Sequence, residues 1–127
     1  MSDCKPAPTP FLLGVKLEAK CTTPLVDATL YRKLVGSLIY LTHTLPDIDF
    51  SVGMVTHFMQ EPHELHWKVV KCILHYIQGT HTHGIYYVVG TRLHLVGYKD
   101  SDYVDDLDSH KSTLGYMFDL SSGLICW

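Results

Sequence analysis

The chain has 127 residues, enough for one domain or part of a larger one. Apolar residues make up 46% and charged residues 18%, which excludes wholesale disorder because enough apolar surface is present to oppose chain entropy. The formal net charge of -3 supplies no global field that would draw the chain onto nucleic acid or an anionic membrane, and no apolar run approaches the ~20 residues of a membrane-spanning helix.

Residues 1–26 are rich in Pro and Thr and carry no sustained period. They read as an extended leader, with Leu12, Val15 and Leu17 available for packing. Asp27 is placed to cap a first helix, in which Leu30, Leu34, Val35, Leu38, Ile39 and Leu41 recur at helical spacing. Pro46 forces a break, because the residue before a proline avoids the helical region, and suits the first turn of a second helix with Asp47 near its positive end. Ile48, Val52, Val55 and Met59 line that helix. Pro62 and Glu64 open a third helix with a stripe of Leu65 or His66, then Val69, Val70, Ile73, Leu74 and Ile77, and Gly79 as its C-cap. Residues 27–80 are thus expected to pack as a three-helix layer.

Beyond Gly79 the period changes. Residues 85–89 are β-branched and aromatic, as strands are. Gly90-Thr91-Arg92 reads as a hairpin turn. Leu93, Leu95 and Gly97 then alternate with His94, Val96 and Tyr98. A polar, acidic loop is expected over residues 100–111, a strand over Thr113–Leu120, a tight turn at Ser121-Ser122-Gly123, and another strand from Leu124. The expected fold class is α+β: leader 1–26, helical region 27–80, and an antiparallel sheet over 81–127. The sequence stops within an apolar strand. An unfinished sheet with an open edge near Trp127 is therefore expected, and such an edge can pair with a second copy.

Cys4, Cys21, Cys72 and Cys126 form no C-x-x-C pair, and no signal peptide precedes them. Free thiols in a reducing, intracellular compartment are the expectation, with neither secretion nor a membrane anchor. Nine histidines are present. Zinc needs three or four convergent ligands at recognisable spacing, and no Cys pair supports His63 and His66 or His81 and His83. They read as solvated or hydrogen-bonded surface residues.

Several runs carry a family resemblance. Tyr31-Arg32-Lys33-Leu34-Val35-Gly36-Ser37-Leu38-Ile39-Tyr40-Leu41-Thr42 is followed by Leu45-Pro46-Asp47-Ile48, Phe58-Met59 with Pro62, His66-Trp67, and Ile73-Leu74-His75-Tyr76-Ile77-Gln78-Gly79-Thr80. In this order they resemble the segment that follows the polymerase palm in Pol polyproteins of copia-type long-terminal-repeat retrotransposons. Gly97-Tyr98-Lys99-Asp100-Ser101-Asp102-Tyr103, then Lys111-Ser112-Thr113-Leu114-Gly115-Tyr116 and Trp127, are similar to the start of that family's ribonuclease H domain. Asp3-Cys4-Lys5-Pro6 with Thr9-Pro10 resembles its linker. The resemblance covers nearly the whole chain. It departs from the family pattern at Leu45, where arginine is usual, at Cys72, where a basic residue is usual, and at Tyr103-Val104-Asp105, where tryptophan and a small pair are usual.

The resemblance implies a thumb- or connection-like helical region and an incomplete ribonuclease H-like sheet. It also implies a parent activity of RNA-directed DNA synthesis with removal of the RNA strand. Ribonuclease H of this class resembles two-metal catalysis, in which paired magnesium ions clamp the attacking and leaving oxygens. By position in the motif Asp100 is the first catalytic carboxylate, and Asp100 with Asp102 would be the metal ligands. The remaining acids of the family come from later elements. One carboxylate cannot organise two magnesium ions, which demand near-octahedral geometry. The expectation is a polyprotein fragment without independent catalysis and without tight metal binding.

Asp102, Asp105, Asp106 and Asp108 read as a solvated acidic loop. An EF-hand is excluded because Asp105 stands where that loop needs glycine. Tyr103-Val104-Asp105-Asp106 spells the reverse transcriptase Tyr-X-Asp-Asp signature, but its flanks, Lys99-Asp100-Ser101-Asp102 and Leu107-Asp108-Ser109-His110, are not the apolar strands that signature needs. Trp67, Lys68 and Lys71 are candidate contacts for an RNA–DNA hybrid or template–primer duplex, since aromatics beside cations suit nucleic-acid grooves; packing of Trp67 on a neighbouring helix is the structural alternative. A retained protein- or nucleic-acid-binding module is the other functional class.

Overall fold

The structure, a computed structural model, describes residues 4–12, 14–19, 22–90, 92–102 and 113–127, with Ser101, Asp102, Thr113 and Leu114 described by backbone alone. Its fold class is α+β, with three α-helices followed by a three-stranded antiparallel sheet. The backbone divides into two compact units, Met1–His83 and Gly84–Trp127.

The helical unit contains α1 (Ala28–Thr42), a single 3-10 turn (Pro46–Ile48) running into α2 (Asp49–Thr56), and α3 (Glu64–Thr80). Asp27 caps α1, its carboxylate accepting from the Thr29 and Leu30 amides at 2.7 and 3.2 Å. That cap satisfies donors the helix cannot. The buried stripe of α1 is Tyr31, Val35, Leu38 and Thr42, rotated from the one expected. Leu30 and Ile39 are exposed instead, and the tyrosine takes a core position because its hydroxyl donates to the Val55 carbonyl at 2.8 Å. Tyr31 and Val35 meet Ile48 from the 3-10 turn, Val52 and Val55 from α2, and Val69, Val70 and Ile73 from α3 in one cluster. Full burial of each aliphatic side chain contributes roughly 1.5–3 kcal/mol.

Gly79 is not the C-cap. It lies inside α3, which ends at Thr80 with His81 as cap. A Cβ at Gly79 would stand 2.6 Å from the Pro6 side chain. The glycine therefore admits the leader rather than ending the helix. The described residues of the leader lie along this unit, with Phe11, Leu12, Leu17 and Val26 packed against its core. Main-chain bonds fix both ends of the leader: Ala7 N–H to the His75 carbonyl at 3.3 Å, Val26 N–H to Pro62 at 2.9 Å, and Glu64 N–H to Pro24 at 2.8 Å.

The second unit holds β1 (Leu95–Asp102), β2 (Thr113–Leu120) and β3 (Leu124–Cys126) in the order β1-β2-β3. Residues 85–89 form no strand, contrary to their composition. Among the described residues they join no ladder, and they are held by side-chain bonds: Tyr87 Oη to the Leu124 carbonyl and the Val88 amide to Ser122 Oγ. β propensity does not make a strand without a partner edge. The strand β1 also runs further than expected, so Asp100, Ser101 and Asp102 belong to the ladder, not to a loop. Ser121 adopts a positive φ of 62° in the β2–β3 turn. Its Oγ donates to the Arg92 carbonyl and accepts from the His94 amide, each at 2.6 Å, which offsets the cost of a left-handed non-glycine residue.

Candidate functional site

Asp100 sits in β1 opposite Gly115 in register, between the Lys99↔Tyr116 and Ser101↔Leu114 pairs. The glycine leaves no side chain across the ladder from the carboxylate, and Asp100 is exposed. Asp102 follows two residues on, its backbone paired with Thr113; its side chain lies outside what is described. Tyr103, Val104, Asp105, Asp106, Asp108, Lys111 and Ser112 also fall outside the described residues. Among the described residues no three His, Cys, Asp or Glu side chains group to hold a metal ion. Magnesium demands near-octahedral geometry, and the described side chains offer it the single exposed carboxylate of Asp100.

The second candidate region is the exposed side of α3. Trp67 is half-buried, its ring centroid 6.3 Å from that of Tyr31, and Lys71 Nζ lies 5.8 Å from the Trp67 ring centre. Thus the indole packs on α1 through one part while presenting another beside a cation. Lys68 lies one turn beyond Glu64, 3.6 Å from its carboxylate. Lys68 and Lys71 share an open groove of about 340 Å³ with Lys5, Pro6, Cys72 and His75. The placement of Lys5 is set by the leader. His75 Nδ1 donates to the Lys5 carbonyl at 2.8 Å, and the Cys72 thiol to the Thr9 carbonyl at 3.5 Å. Burial pushes the Cys72 thiol up from its ordinary pKa, so it stays a protonated donor. Lys5 was not legible as a partner of Lys68, since more than sixty positions separate the two residues.

His66 is not a surface histidine. It is fully buried, stacked on Phe58 with ring centroids 4.0 Å apart. Its Nδ1 accepts from the His63 amide at 3.0 Å, and its Nε2 donates to the Glu18 carbonyl at 3.1 Å. That pattern requires the neutral ring. Burial, more than the neighbouring His63, holds its pKa below the ordinary value, against an opposing effect of the Glu18 carbonyl. The imidazole takes the place of the glutamate or glutamine of a capping box. His63 also ties the leader, donating from Nδ1 to the Thr23 carbonyl at 2.6 Å. Both are structural clasps.

Comparison with known proteins supplies the class. The chain is 42% identical over its whole length to the retrovirus-related Pol polyprotein from transposon RE1 of Arabidopsis thaliana, covering 9% of that protein. It is 39% identical to the one from transposon TNT 1-94 of Nicotiana tabacum, covering 10% of it. An uncharacterized mitochondrial protein of Arabidopsis thaliana is 36% identical over the whole chain, which covers 52% of that protein. The chain belongs to the retrovirus-related Pol polyproteins of copia-type retrotransposons. It spans about a tenth of the length of the transposon polyproteins it matches. No family model and no solved structure matches it. Among the described residues, no helix is long and apolar enough to cross a membrane.

Proposed function

We propose that these 127 residues are the part of a Pol polyprotein that joins reverse transcriptase to ribonuclease H: helices that follow the polymerase palm, then the opening strands of the nuclease sheet. The parent activity would be RNA-directed DNA synthesis with cleavage of the RNA strand. Asp100 would be the first nuclease carboxylate. Asp102 would assist at the same metal site, with magnesium supplied to the complete enzyme. Trp67, Lys68 and Lys71 would meet the template–primer duplex or RNA–DNA hybrid. The observation that carries the reading is the exposed carboxylate of Asp100 on a ladder strand opposite a glycine. A carboxylate so placed leaves room for metal and phosphate, but it needs further acids to make two octahedral sites. A polypeptide of these residues alone should therefore cleave nothing.

The test is a chimera. The corresponding segment of a working polyprotein of this family is replaced by residues 1–127, with the downstream nuclease residues retained. Asp100→Asn should then abolish RNA-strand cleavage while DNA synthesis continues. Cleavage unaffected by Asp100→Asn would overturn the assignment.

A second reading rests on β3, which is one of the two edges of the described sheet and carries Ile125 at 48% exposure. An open apolar edge favours strand addition by a second copy. Concentration-dependent dimerisation abolished by deleting residues 122–127 would support that reading; a strict monomer at high concentration would exclude it.

A further inference from the structure

We infer that the groove between the leader and α3 is a phosphate-binding site for a nucleic-acid strand, built from Lys5, Lys68 and Lys71, with His75 seating the leader. The inference rests on the proposed nucleic-acid role of this region and extends it to the leader.

Three of the chain's eight lysines converge here, together with an imidazole, and no carboxylate lines the groove. On a chain of net charge -3 this is a local reversal of sign. Lys68 already has the Glu64 carboxylate 3.6 Å away, outside the lining; the like charges of Lys5 and Lys71, brought together from distant segments, repel one another unless an anion sits between them. The gathering does not result from a loose terminus. Lys5 is fixed by the His75 bond to its carbonyl, Ala7 by its amide bond to the His75 carbonyl, and Pro6 by its seat against Gly79. Pro6, Ala7 and Cys72 supply the uncharged lining.

The acceptor chemistry that suits several ammonium groups around a shallow concavity is a phosphate oxygen set. His75 serves the groove indirectly: its Nδ1 bond to the Lys5 carbonyl seats the leader beside α3. Trp67 adjoins the groove through Lys71, so a base next to the bound phosphate has an aromatic surface within reach, the pairing found where single strands bind.

The experiment uses the intact 127-residue chain and a fluorescein-labelled oligothymidylate of about twelve nucleotides, within the usual site sizes. Anisotropy is followed between about 50 and 200 mM salt. The groove variant is Lys5→Gln with Lys68→Gln and Lys71→Gln. The control is Lys16→Gln with Lys33→Gln and Lys99→Gln, which removes the same formal charge from exposed positions elsewhere. All six lysines are exposed, and circular dichroism verifies that both variants fold.

The groove variant should bind more weakly and lose about 2 from the slope of log affinity against log salt, at roughly 0.7 per phosphate contact on a single strand. The control should keep its slope. Displacement of the oligonucleotide by inorganic phosphate at constant ionic strength, lost in the groove variant, would also support the groove as the seat of the strand's phosphates. Equal losses in the groove variant and the control would overturn the groove while leaving the nucleic-acid role of the chain standing. An unsubstituted chain that binds no oligonucleotide at all would likewise overturn the groove, the duplex role being read separately with a template–primer duplex in the same assay.

Discussion

The two units handle apolar side chains in opposite ways. In the helical unit Tyr31, Val35, Ile48, Val55, Val69, Val70 and Ile73 are each 0% exposed. In the sheet unit Leu95, Tyr98, Tyr116, Met117, Phe118 and Ile125 all remain exposed. Helices and leader form a closed set of faces, whereas a three-stranded sheet normally needs a covering layer for its apolar face. The difference lies in layers: the helical unit closes a core between its helices and leader, while the three strands keep these apolar side chains exposed.

The sharpest test of that contrast compares two truncations. Ile73→Ala removes a fully buried side chain and should cost about 2–5 kcal/mol, read by urea denaturation of the helical signal at 222 nm. Phe118→Ala removes a side chain that is 38% exposed and should cost about 1 kcal/mol or less. Its ring does lie over Gly97, 2.8 Å from where a Cβ would be, so a small local effect is expected. Equal losses at the two sites would mean that the sheet is as well covered as the helices.

Next comes acid sensitivity confined to the helical unit. Folding lowers the His66 pKa below its ordinary 6.5, so the unfolded chain takes up a proton that the buried ring refuses. The stabilisation is complete above about pH 6.5 and is lost as pH falls from there through the lower, folded value. Helical stability measured between pH 8 and 5, conditions chosen to span that value at about 6.5, should fall on the acid side. In His66→Gln the amide can accept from His63 N–H without titrating, and the acid loss should flatten. An unchanged profile in that variant would assign the effect elsewhere.

The smallest effect is expected at Gly79. Alanine normally stabilises a helix by about 1 kcal/mol over glycine. Here its Cβ would meet Pro6 at 2.6 Å, so Gly79→Ala should give little net gain and should speed amide exchange at Ala7, whose N–H donates to the His75 carbonyl. A full gain with unchanged exchange would show that the leader does not press on the helix.

Much of the helical unit was legible in the sequence because its signals are local. Asp27 precedes a periodic run, Pro46 interrupts one, and Val52, Val55, Val69, Val70 and Ile73 repeat at helical spacing. The failures are all tertiary. Gly79 has the look of a C-cap, yet its glycine answers to Pro6, seventy-three positions earlier. His66 depends on a carbonyl at Glu18, and Tyr31 on one at Val55, neither of which a helical stripe reveals. Residues 85–89 have strand composition, yet the ladder formed instead between β1 and β2. For the candidate sites, Asp100 came from motif position alone and Lys68 with Lys71 from their shared helix. The contribution of Lys5 required the leader's path.

The central proposal is that Asp100 is the first carboxylate of a nuclease site that needs further acids to hold two metal ions. The most direct measurement is incubation of the purified 127-residue chain with a labelled RNA–DNA hybrid and magnesium. The account predicts no cleavage above the no-protein control, with or without Asp100→Ala. Magnesium-dependent cleavage of the RNA strand that disappears in Asp100→Ala would contradict it.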